Sequence, residues 1–395
     1  MSMTPNKVKI GLVGLGGIGG HHLHYLQAMD SIELVGVCDV DRAKADKAAA
    51  DAGSTAYYDY RELFERSGLE AVIIAVPHYD HTPISEAAFR QGLHVMTEKP
   101  LAVHINDAQK TIDAYEEAKR RNPALVFGIM FQERTLPFYA RIKQIVSSGE
   151  LGRLTRTTWI HTKWFRSQAY YDGGGWRATW AGEGGGILTN QCPHTLDMYQ
   201  WLVGVPSVIS GHAHIGKYRH IEVEDEVTAY FEHDNGMIGH LIVTTAESPG
   251  TNRLEIIGEL GKLVYENEKL MLYRNRKSML EYGLETKERF GGVEYTEEEI
   301  QVNTDAPSGH HVVTGLFVKA VQNGGGELIA HGTEGIKGLT IANGIMLSSF
   351  NKQTIDVPFS GDEFEAKLRE LIASSRYVKK VVQADEGDIA ASFPG

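Results

Sequence analysis

The segment VKIGLVGLGGIGG, residues 8–20, joins an apolar run to a glycine-rich turn. Val8 to Val13 predicts a buried strand, and the pattern from Ile18 to Met29 predicts a helix. The turn between them reads GLGGIG and has the spacing GxGxxG. A strand, such a turn and a helix in succession are typical of a site for the pyrophosphate of a dinucleotide.

The glycines of this turn have distinct expected roles. Gly14 permits the tight turn, Gly16 lets the backbone approach the pyrophosphate, and Gly19 allows close packing of helix on strand. The helix N-terminus also offers unpaired N–H groups to the anion. The residues expected to contact the dinucleotide here are Gly14, Gly16, Gly17, Ile18 and Gly19. The alternative is a glycine-rich turn that binds nothing.

Asp39 stands about twenty residues after Gly19, at the end of a second predicted strand from Glu33 to Cys38. Its carboxylate can accept hydrogen bonds from the two hydroxyls of a ribose and would repel a 2′-phosphate. NAD is therefore favoured over NADP as the cofactor. Arg42 could still reach a 2′-phosphate, so NADP stays as the second choice.

Strand and helix patterns alternate over the first third of the chain. Further helices are predicted over 42–52, 84–91 and 106–120, and further strands over 71–76, 94–98 and 125–131. This alternation implies parallel strands joined by right-handed crossovers, an α/β doubly wound sheet. We expect a dinucleotide-binding domain over residues 1–127.

The pattern changes after about Phe131. Beyond a predicted helix over 193–202, strand-like runs cover 226–233, 236–245 and 253–258 without helices between them, which favours antiparallel pairing. We expect a second, α+β domain over 128–383, with a frayed tail over 384–395.

Composition excludes several classes of protein. Apolar residues are 42% and charged residues 23% of the 395, an ordinary globular mixture. The net charge of −12 disfavours nucleic acid and anionic lipid as partners. No apolar run is long enough for a membrane span or signal peptide, and two cysteines cannot form a disulfide framework. We expect a cytoplasmic location.

Two short segments carry residues suited to acid–base chemistry. Lys99, in Glu98-Lys99-Pro100, follows a strand at the ligand-binding edge of the sheet and could neutralise alkoxide charge. In the segment 184–204, Asn190, His194 and Asp197 would share one helix face if the helix extended back past Pro193. His194 could accept a hydroxyl proton. The alternatives are a surface lysine and a structural histidine.

The combination of motifs resembles the Gfo/Idh/MocA oxidoreductase family. The motifs are GLGGIGG, CDVD, AVPHYDH, TEKPLA and GGGILTNQCPHTLD, which span nearly the whole chain. The resemblance implies a Rossmann domain followed by an α+β domain whose large open sheet builds homodimers or homotetramers. It also implies NAD(P)-dependent oxidation of a sugar, glycoside or cyclitol hydroxyl to a ketone, or the reverse reaction.

The resemblance also implies roles for single residues. Lys99 would lie beside the reacting hydroxyl, with a cis bond before Pro100, and His194 would be the acid/base. On the cofactor side, Pro77, His78 and His81 match a loop lining the nicotinamide ribose, and Glu98 and Lys99 match further cofactor contacts. Asn190 stands where an aspartate is common, which leaves a lysine–histidine pair without the usual carboxylate. The NQCPH form of this segment resembles a sugar-directed subgroup.

An aromatic stretch over 159–186 is the candidate substrate wall, because polyols present C–H faces and hydroxyl rims. With two residues of the loop GIMFQER, the candidate substrate-binding residues are Gln132, Arg134, Trp164, Arg166, Tyr170, Trp176, Arg177, Asn190 and His194, and Trp180 supplies a further ring. The alternative is a lid or interface with structural aromatics.

No metal is expected, because His161, His310 and His311 lack the spacing of a metal-binding motif. Two other functions stay open. One is an NAD-dependent glycoside hydrolase or lyase that acts by transient oxidation and elimination. The other is a non-catalytic NAD-binding regulator.

Overall fold

The computed structural model describes residues 7–380 and residue 382. It contains two sheets, one built by the first third of the chain and one by the remainder. The predicted tail over 384–395 lies outside the described residues. No helix in the described part of the chain is both long and apolar enough to cross a membrane.

Six strands form the first sheet in the described residues, and every neighbouring pair is parallel. Its strand order is β3-β2-β1-β4-β5-β6, the order of a doubly wound dinucleotide-binding sheet. The strands are β1 Val8–Val13, β2 Ile32–Cys38, β3 Thr55–Tyr57, β4 Ala71–Ile74, β5 His94–Thr97 and β6 Phe127–Ile129. The helices between them are α1 Gly17–Gln27, α2 Arg42–Ala52, α3 Tyr60–Arg66, α4 His81–Arg90 and α5 Ile105–Arg121. The predicted fold class is confirmed.

Strand β4 shows why this sheet is apolar on both faces. Val72 and Ile74 pack in a core with α3, α4 and α5. Ala71 and Ile73 point the other way, into a core with α1 and α2. Because alternate residues of a strand face opposite sides, a sheet covered by helices on both faces needs a continuous apolar run.

Helix α10, His310–Gln322, belongs to the later part of the chain but packs on the first sheet. Its residues Val313 and Phe317 share a core with Ile10 and Met96. The predicted boundary between residues 127 and 128 assigns this helix to the second domain. The contact nevertheless completes one face of the nucleotide-binding sheet.

The second sheet, across residues 7–380, has nine strands in the order β14-β13-β12-β11-β7-β10-β9-β8-β15. Its strands are β7 Leu154–His161, β8 Val208–Ile215, β9 Glu224–Glu232, β10 Ile238–Thr244, β11 Asn252–Gly258, β12 Gly261–Glu266, β13 Lys269–Asn275, β14 Tyr295–Glu299 and β15 Ile355–Asp356. The pairs are antiparallel apart from β7 with β10, which is parallel. The prediction of a mostly antiparallel sheet is confirmed.

One face of this sheet packs on helices and the other is open. The remaining helices are α6 Pro137–Ser147, α7 Gln168–Asp172, α8 Pro193–Val203, α9 Met279–Glu285, α11 Gly335–Asn351 and α12 Gly361–Ser374. Trp159 of β7 is fully buried in the core with Tyr199 of α8 and Ile341 of α11. The alternate residues Thr158 and Ile160 of β7 lie partly exposed on the opposite face.

Candidate active site

A cavity of about 790 Å³ runs along the carboxyl ends of β1, β2 and β4 and continues against residues that follow the first sheet in the chain, mainly within 132–194. It brings most of the predicted site residues together. From the predicted cofactor set it is lined by Gly14, Gly16, Gly17, Ile18, Asp39, Pro77, His78, Glu98 and Lys99. From the predicted substrate set it is lined by Gln132, Trp164, Arg166, Tyr170, Trp176, Arg177, Asn190 and His194.

The glycine turn has the geometry that a pyrophosphate requires. Gly14 has φ of +94°, and an added Cβ would lie 2.3 Å from the carbonyl oxygen of Ala75. A Cβ at Gly19 would lie 2.0 Å from the carbonyl oxygen of Gly14, so Gly19 packs the helix on the strand and does not line the cavity. A Cβ at Gly16 would meet no described atom within 4 Å. The space beside Gly16, at the N-terminus of α1, is therefore open for an anion.

Replacing Gly16 with Val should weaken NAD binding by about 5- to 150-fold, the equivalent of about 1–3 kcal/mol of overpacking. The isopropyl group would fill the open space, while the φ of −66° at Gly16 suits a side chain. Titration of the purified variant with NAD by isothermal calorimetry measures the change. The matched control is Gly20→Val, since Gly20 is exposed, has open space at its Cβ and lies outside the cavity wall. Equal losses in both variants would contradict the prediction.

Asp39 lies at the far end of the cavity, where its carboxylate also holds the loop. Oδ2 accepts from the backbone N–H of Leu15 at 2.8 Å, and Oδ1 accepts from that of Asp41 at 2.9 Å. These bonds orient the carboxylate and leave lone pairs for a ribose diol. Arg42, the residue that could favour a 2′-phosphate, stacks on Tyr58 at 4.1 Å and is not part of the cavity wall.

Lys99 and His194 line the same cavity, Lys99 from the end of β5 in the first sheet and His194 from α8, which packs on the second sheet. Lys99 Nζ donates to the backbone oxygen of Asn190 at 3.1 Å, and the Lys99–Pro100 bond is cis, as expected from the family resemblance. Burial lowers the pKa of Lys99, while the Glu98 carboxylate raises it. Burial, with nearby Lys99, also holds the pKa of His194 well below its usual range. A neutral imidazole beside an ammonium can accept a hydroxyl proton.

Asn190 lies near Lys99 and His194, but it is not on a helix face shared with His194, as had been predicted. Helix α8 begins at Pro193, so Asn190 lies in the turn before it and does not share a helix face with His194. Its side-chain amide donates to the buried carboxylate of Glu183, and its Oδ1 accepts from Tyr170 at 3.5 Å. The backbone oxygen of Asn190, rather than its side chain, holds Lys99.

Arg134, predicted to bind substrate, does not lie in the wall of the cavity. Its guanidinium is buried and donates to both oxygens of Asp197, at 2.8 and 2.6 Å. It also donates to Glu334 and to the backbone oxygen of Ile329, each at 3.2 Å. Arg134 and Asp197 are outside the cavity wall, so this pair joins structural elements instead of binding a ligand.

His81 also departs from its expected place. It is 1% exposed, and its ring nitrogens lie 2.7 Å from the backbone oxygen of Pro100 and 2.9 Å from that of Val76. It therefore ties together the two loops that carry Pro77 and Lys99 and does not line the cavity. His78 does line it, with its ring edge-to-face on Trp176 at 5.4 Å.

Glu98 has a partner that the sequence analysis missed. His22 Nε2 lies 2.7 Å from Glu98 Oε1, and both residues are buried. Burial raises the pKa of Glu98, but the hydrogen bond and charge of His22, with His310 and Lys99, lower it to about 2. Glu98 thus stays ionised and supplies a fixed negative charge next to Lys99.

The aromatic wall is built around Tyr170. The guanidinium carbons of Arg166 and Arg177 lie 5.2 and 4.8 Å from its ring centroid. Its hydroxyl oxygen accepts from Arg177 at 2.7 Å and from the side-chain amide of Gln191 at 3.0 Å. Trp180 is buried against Phe350 and takes no part in the wall.

Several lining residues are absent from the predicted site, among them Glu133, Gln191 and His310. Glu133 and Gln191 are each adjacent in sequence to a predicted site residue. That adjacency is the feature of the sequence from which they could have been predicted. Burial raises the pKa of Glu133 to about 7, against the lowering effect of Lys99.

Replacing Glu133 with Gln should stabilise the protein at pH 8 by about 1–3 kcal/mol, with a smaller effect at pH 5. A raised pKa means that the folded state holds the proton more tightly than the unfolded state. Stability is then lost as pH rises from the ordinary value of 4.5 through 7. Urea unfolding of both proteins at the two pH values measures this. Glu117→Gln, at an exposed carboxylate, is the control, and a pH-independent difference for Glu133 would contradict the prediction.

Among the residues that the structure describes, no group of three or more His, Cys, Asp or Glu side chains could hold a metal ion. His161 instead lies against Trp164, with ring centroids 3.8 Å apart, and its Nδ1 is 2.9 Å from Thr195 Oγ1.

Two family models match this chain. The model described as "Oxidoreductase family, NAD-binding Rossmann fold" matches residues 8–124. The model described as "GFO/IDH/MocA C-terminal domain" matches residues 139–264. The matches fall on the two regions that build the two sheets.

Two curated relatives are dehydrogenases of cyclitols by name. Inositol 2-dehydrogenase of Salmonella typhimurium is 37% identical over 126 residues, 31% of this chain and 36% of that protein. The scyllo-inositol 2-dehydrogenase (NAD(+)) of Bacillus subtilis is 27% identical over 237 residues, 58% of this chain and 65% of that protein. The chain thus spans between about a third and two thirds of the length of these relatives.

A solved structure shares the fold over almost its whole length. The WlbA dehydrogenase of Chromobacterium violaceum, in complex with NADH and UDP-GlcNAcA, matches with a TM-score of 0.75 at 24% identity. The match covers 91% of this chain and 98% of that one.

Proposed function

Because this chain belongs to the Gfo/Idh/MocA oxidoreductase family, we propose that it is an NAD-dependent dehydrogenase of a sugar, glycoside or cyclitol. It converts a secondary hydroxyl to a ketone, or catalyses the reverse reduction. One observation carries this proposal: Lys99 of the first domain and His194 of α8 line one cavity, and the open glycine turn lines the same cavity. A dinucleotide and a small polyol fit such an arrangement end to end.

The residues of the first half suit NAD. Gly16 and the N-terminus of α1 would hold the pyrophosphate, and Asp39 would accept from the ribose hydroxyls. NAD, when bound, supplies the hydride acceptor. His78 and Pro77 would border the nicotinamide end, close to Lys99.

Lys99 and His194 have different roles in the reaction of the substrate hydroxyl. The hydroxyl proton passes to His194, and the Lys99 ammonium stabilises the oxyanion that forms as the proton leaves. The Asn190 backbone oxygen orients Lys99 by its hydrogen bond of 3.1 Å. In the reverse direction, protonated His194 returns the proton.

The substrate wall suits a polyol. Trp164 and Trp176 offer flat faces to the C–H side of a sugar ring, and the Arg166 and Arg177 guanidiniums offer donors to hydroxyls. Two relatives bear the names of inositol dehydrogenases, which supports including cyclitols in the candidate substrate class.

The open face of the second sheet is the place for contact between copies. Ile160 of β7 and Ile242 of β10, which is 36% exposed, lie on adjacent strands there. A homodimer or homotetramer in the cytoplasm would cover these side chains. Light scattering of the purified protein measures the assembly size.

The test is a screen of cyclitols, monosaccharides and glycosides with the purified protein and NAD, with formation of NADH as the readout. The proposal predicts NADH formation with at least one polyol. Release of an aglycone without net NADH would favour hydrolysis by transient oxidation. Binding of NAD with no product from any class would favour a non-catalytic regulator.

A further inference from the structure

We propose that Gln132 is a positioning residue that fixes the tautomer of His194, so that Nδ1 of His194 is the base. This proposal rests on the proposed function for the direction of proton transfer. Its direct readout, the position of one proton on the imidazole, does not need a substrate.

The two side chains meet in the buried wall of the cavity. Gln132 is 6% and His194 5% exposed, and both line the cavity. Gln132 Nε2 and His194 Nε2 lie 3.2 Å apart. Two atoms of the pair, Gln132 Oε1 and His194 Nδ1, have no hydrogen-bond partner within the described residues. Both atoms are buried. Because Nε2 is engaged by Gln132, Nδ1 is the ring nitrogen whose hydrogen bonding the described residues leave unfilled.

The orientation of the Gln132 amide decides what Nδ1 can do. With the amide nitrogen toward the ring, Gln132 donates to Nε2, so the ring proton sits on Nδ1 and Nδ1 cannot accept another. A half-turn of the amide exchanges its oxygen and nitrogen in the same volume. Oε1 then accepts from Nε2–H, and Nδ1 carries the lone pair that a base needs.

Proton transfer itself favours the second orientation. When the substrate proton reaches His194, both ring nitrogens become donors. An amide N–H would then face an imidazolium N–H across 3.2 Å, whereas Oε1 accepts from Nε2–H before and after the transfer. One amide orientation therefore serves both protonation states without rearrangement. It also turns the Gln132 amide N–H groups away from the imidazole.

The buried site and its nearby charges keep His194 neutral before the reaction. The tautomer of His194 therefore determines which ring nitrogen can accept the substrate proton. Burial lowers its pKa, and the Lys99 ammonium and the rings of His310 and His161 lower it further, while Glu98 raises it. Glu133, next in the chain to Gln132, adds a carboxyl whose burial raises its pKa. A neutral imidazole carries one proton, and its position determines which nitrogen is the acceptor.

The test reads the tautomer by nitrogen NMR of the full chain with labelled histidine and bound NAD. The chain has 17 histidines, so the His194 signals are those lost in a His194→Gln variant. We expect the Nε2–H form at pH 8, with Nδ1 unprotonated. The Nδ1–H form in the wild-type protein would overturn the proposal.

Two variants separate a positioning role from a structural one. Gln132→Glu, when ionised, offers only acceptor oxygens, so at pH 8 it should keep a proton on Nε2. Gln132→Met has a similar length and no acceptor oxygen, so it should give mixed tautomers and a kcat at least about tenfold below that of Gln132→Glu. If Gln132→Glu inverts the tautomer, or has less activity than Gln132→Met, the proposal fails.

The outcomes do not depend on the substrate screen. If no polyol gives NADH, the proposed function fails, but the tautomers of wild type and Gln132→Glu still decide the role of Gln132. If Gln132→Met does not fold, those same two spectra are sufficient.

Discussion

Replacing Lys99 with Met should lower kcat by about 10²–10³-fold and leave the affinity for NAD within about threefold of wild type. The substitution removes the ammonium and keeps most of the apolar stem. Lys99 Nζ is held by the backbone oxygen of Asn190, so in the wild-type protein its charge is already in place when the oxyanion forms. Such fixed charge in a site shielded from water acts mainly on the transition state.

Steady-state kinetics with the best polyol from the screen and calorimetric titration with NAD measure the two quantities. Lys110→Met is the matched control, because Lys110 is exposed and pairs with Asp107 on α5. Near-normal turnover in Lys99→Met would remove Lys99 from the mechanism. A large loss of NAD affinity with unchanged kcat would instead make Lys99 a cofactor-binding residue.

Replacing Arg134 with Met should lower the free energy of unfolding by about 3–5 kcal/mol, because it leaves the Asp197 carboxylate buried without its partner. Both side chains of the pair are 2% exposed. Burial raises the pKa of Asp197, and the guanidinium counters this rise. Without Arg134, the carboxylate must either stay charged at a high cost or take up a proton.

Urea unfolding at pH 7 measures the loss. Arg121→Met removes an exposed partner of Glu117 and should cost less than about 1 kcal/mol. The double variant Arg134→Met with Asp197→Leu should recover part of the stability, since it removes the orphaned charge. Unchanged stability with a weaker affinity for polyols would restore Arg134 to the substrate site.

Elements whose ends are set by local chemistry could be predicted from the sequence. The bounds predicted for β1 and α2 match the structure. For α2, Asp41 caps the N-terminus by accepting from two backbone N–H groups, and Gly53 ends the helix with a φ of +63°. Strand β3 was missed, because its three residues are half-buried or exposed and form no apolar run.

In the active site, too, residues in short local motifs were predicted, whereas the directions of some side chains were not. The glycine turn, Lys99 and His194 were found from short motifs, and the cavity is lined by Lys99, His194 and every residue predicted in the turn except Gly19. Gln132, Glu133 and Arg134 lie in one helical turn, yet the first two line the cavity and the third points into a buried ion pair. Spacing along the chain does not reveal the direction of a side chain in a short turn, so Arg134 was misplaced.

The position of helix α10 late in the chain means that the first sheet is synthesised well before the helix that covers part of one of its faces. The six strands of the nucleotide-binding sheet are complete by Ile129, but Val313 and Phe317 cover part of one face. A nascent chain that has just left the ribosome with those strands would carry an uncovered apolar patch. The apolar face of the first sheet can be covered only after nearly two hundred further residues have been translated. Until then, that face is exposed to chaperones, and the nucleotide-binding domain is not complete.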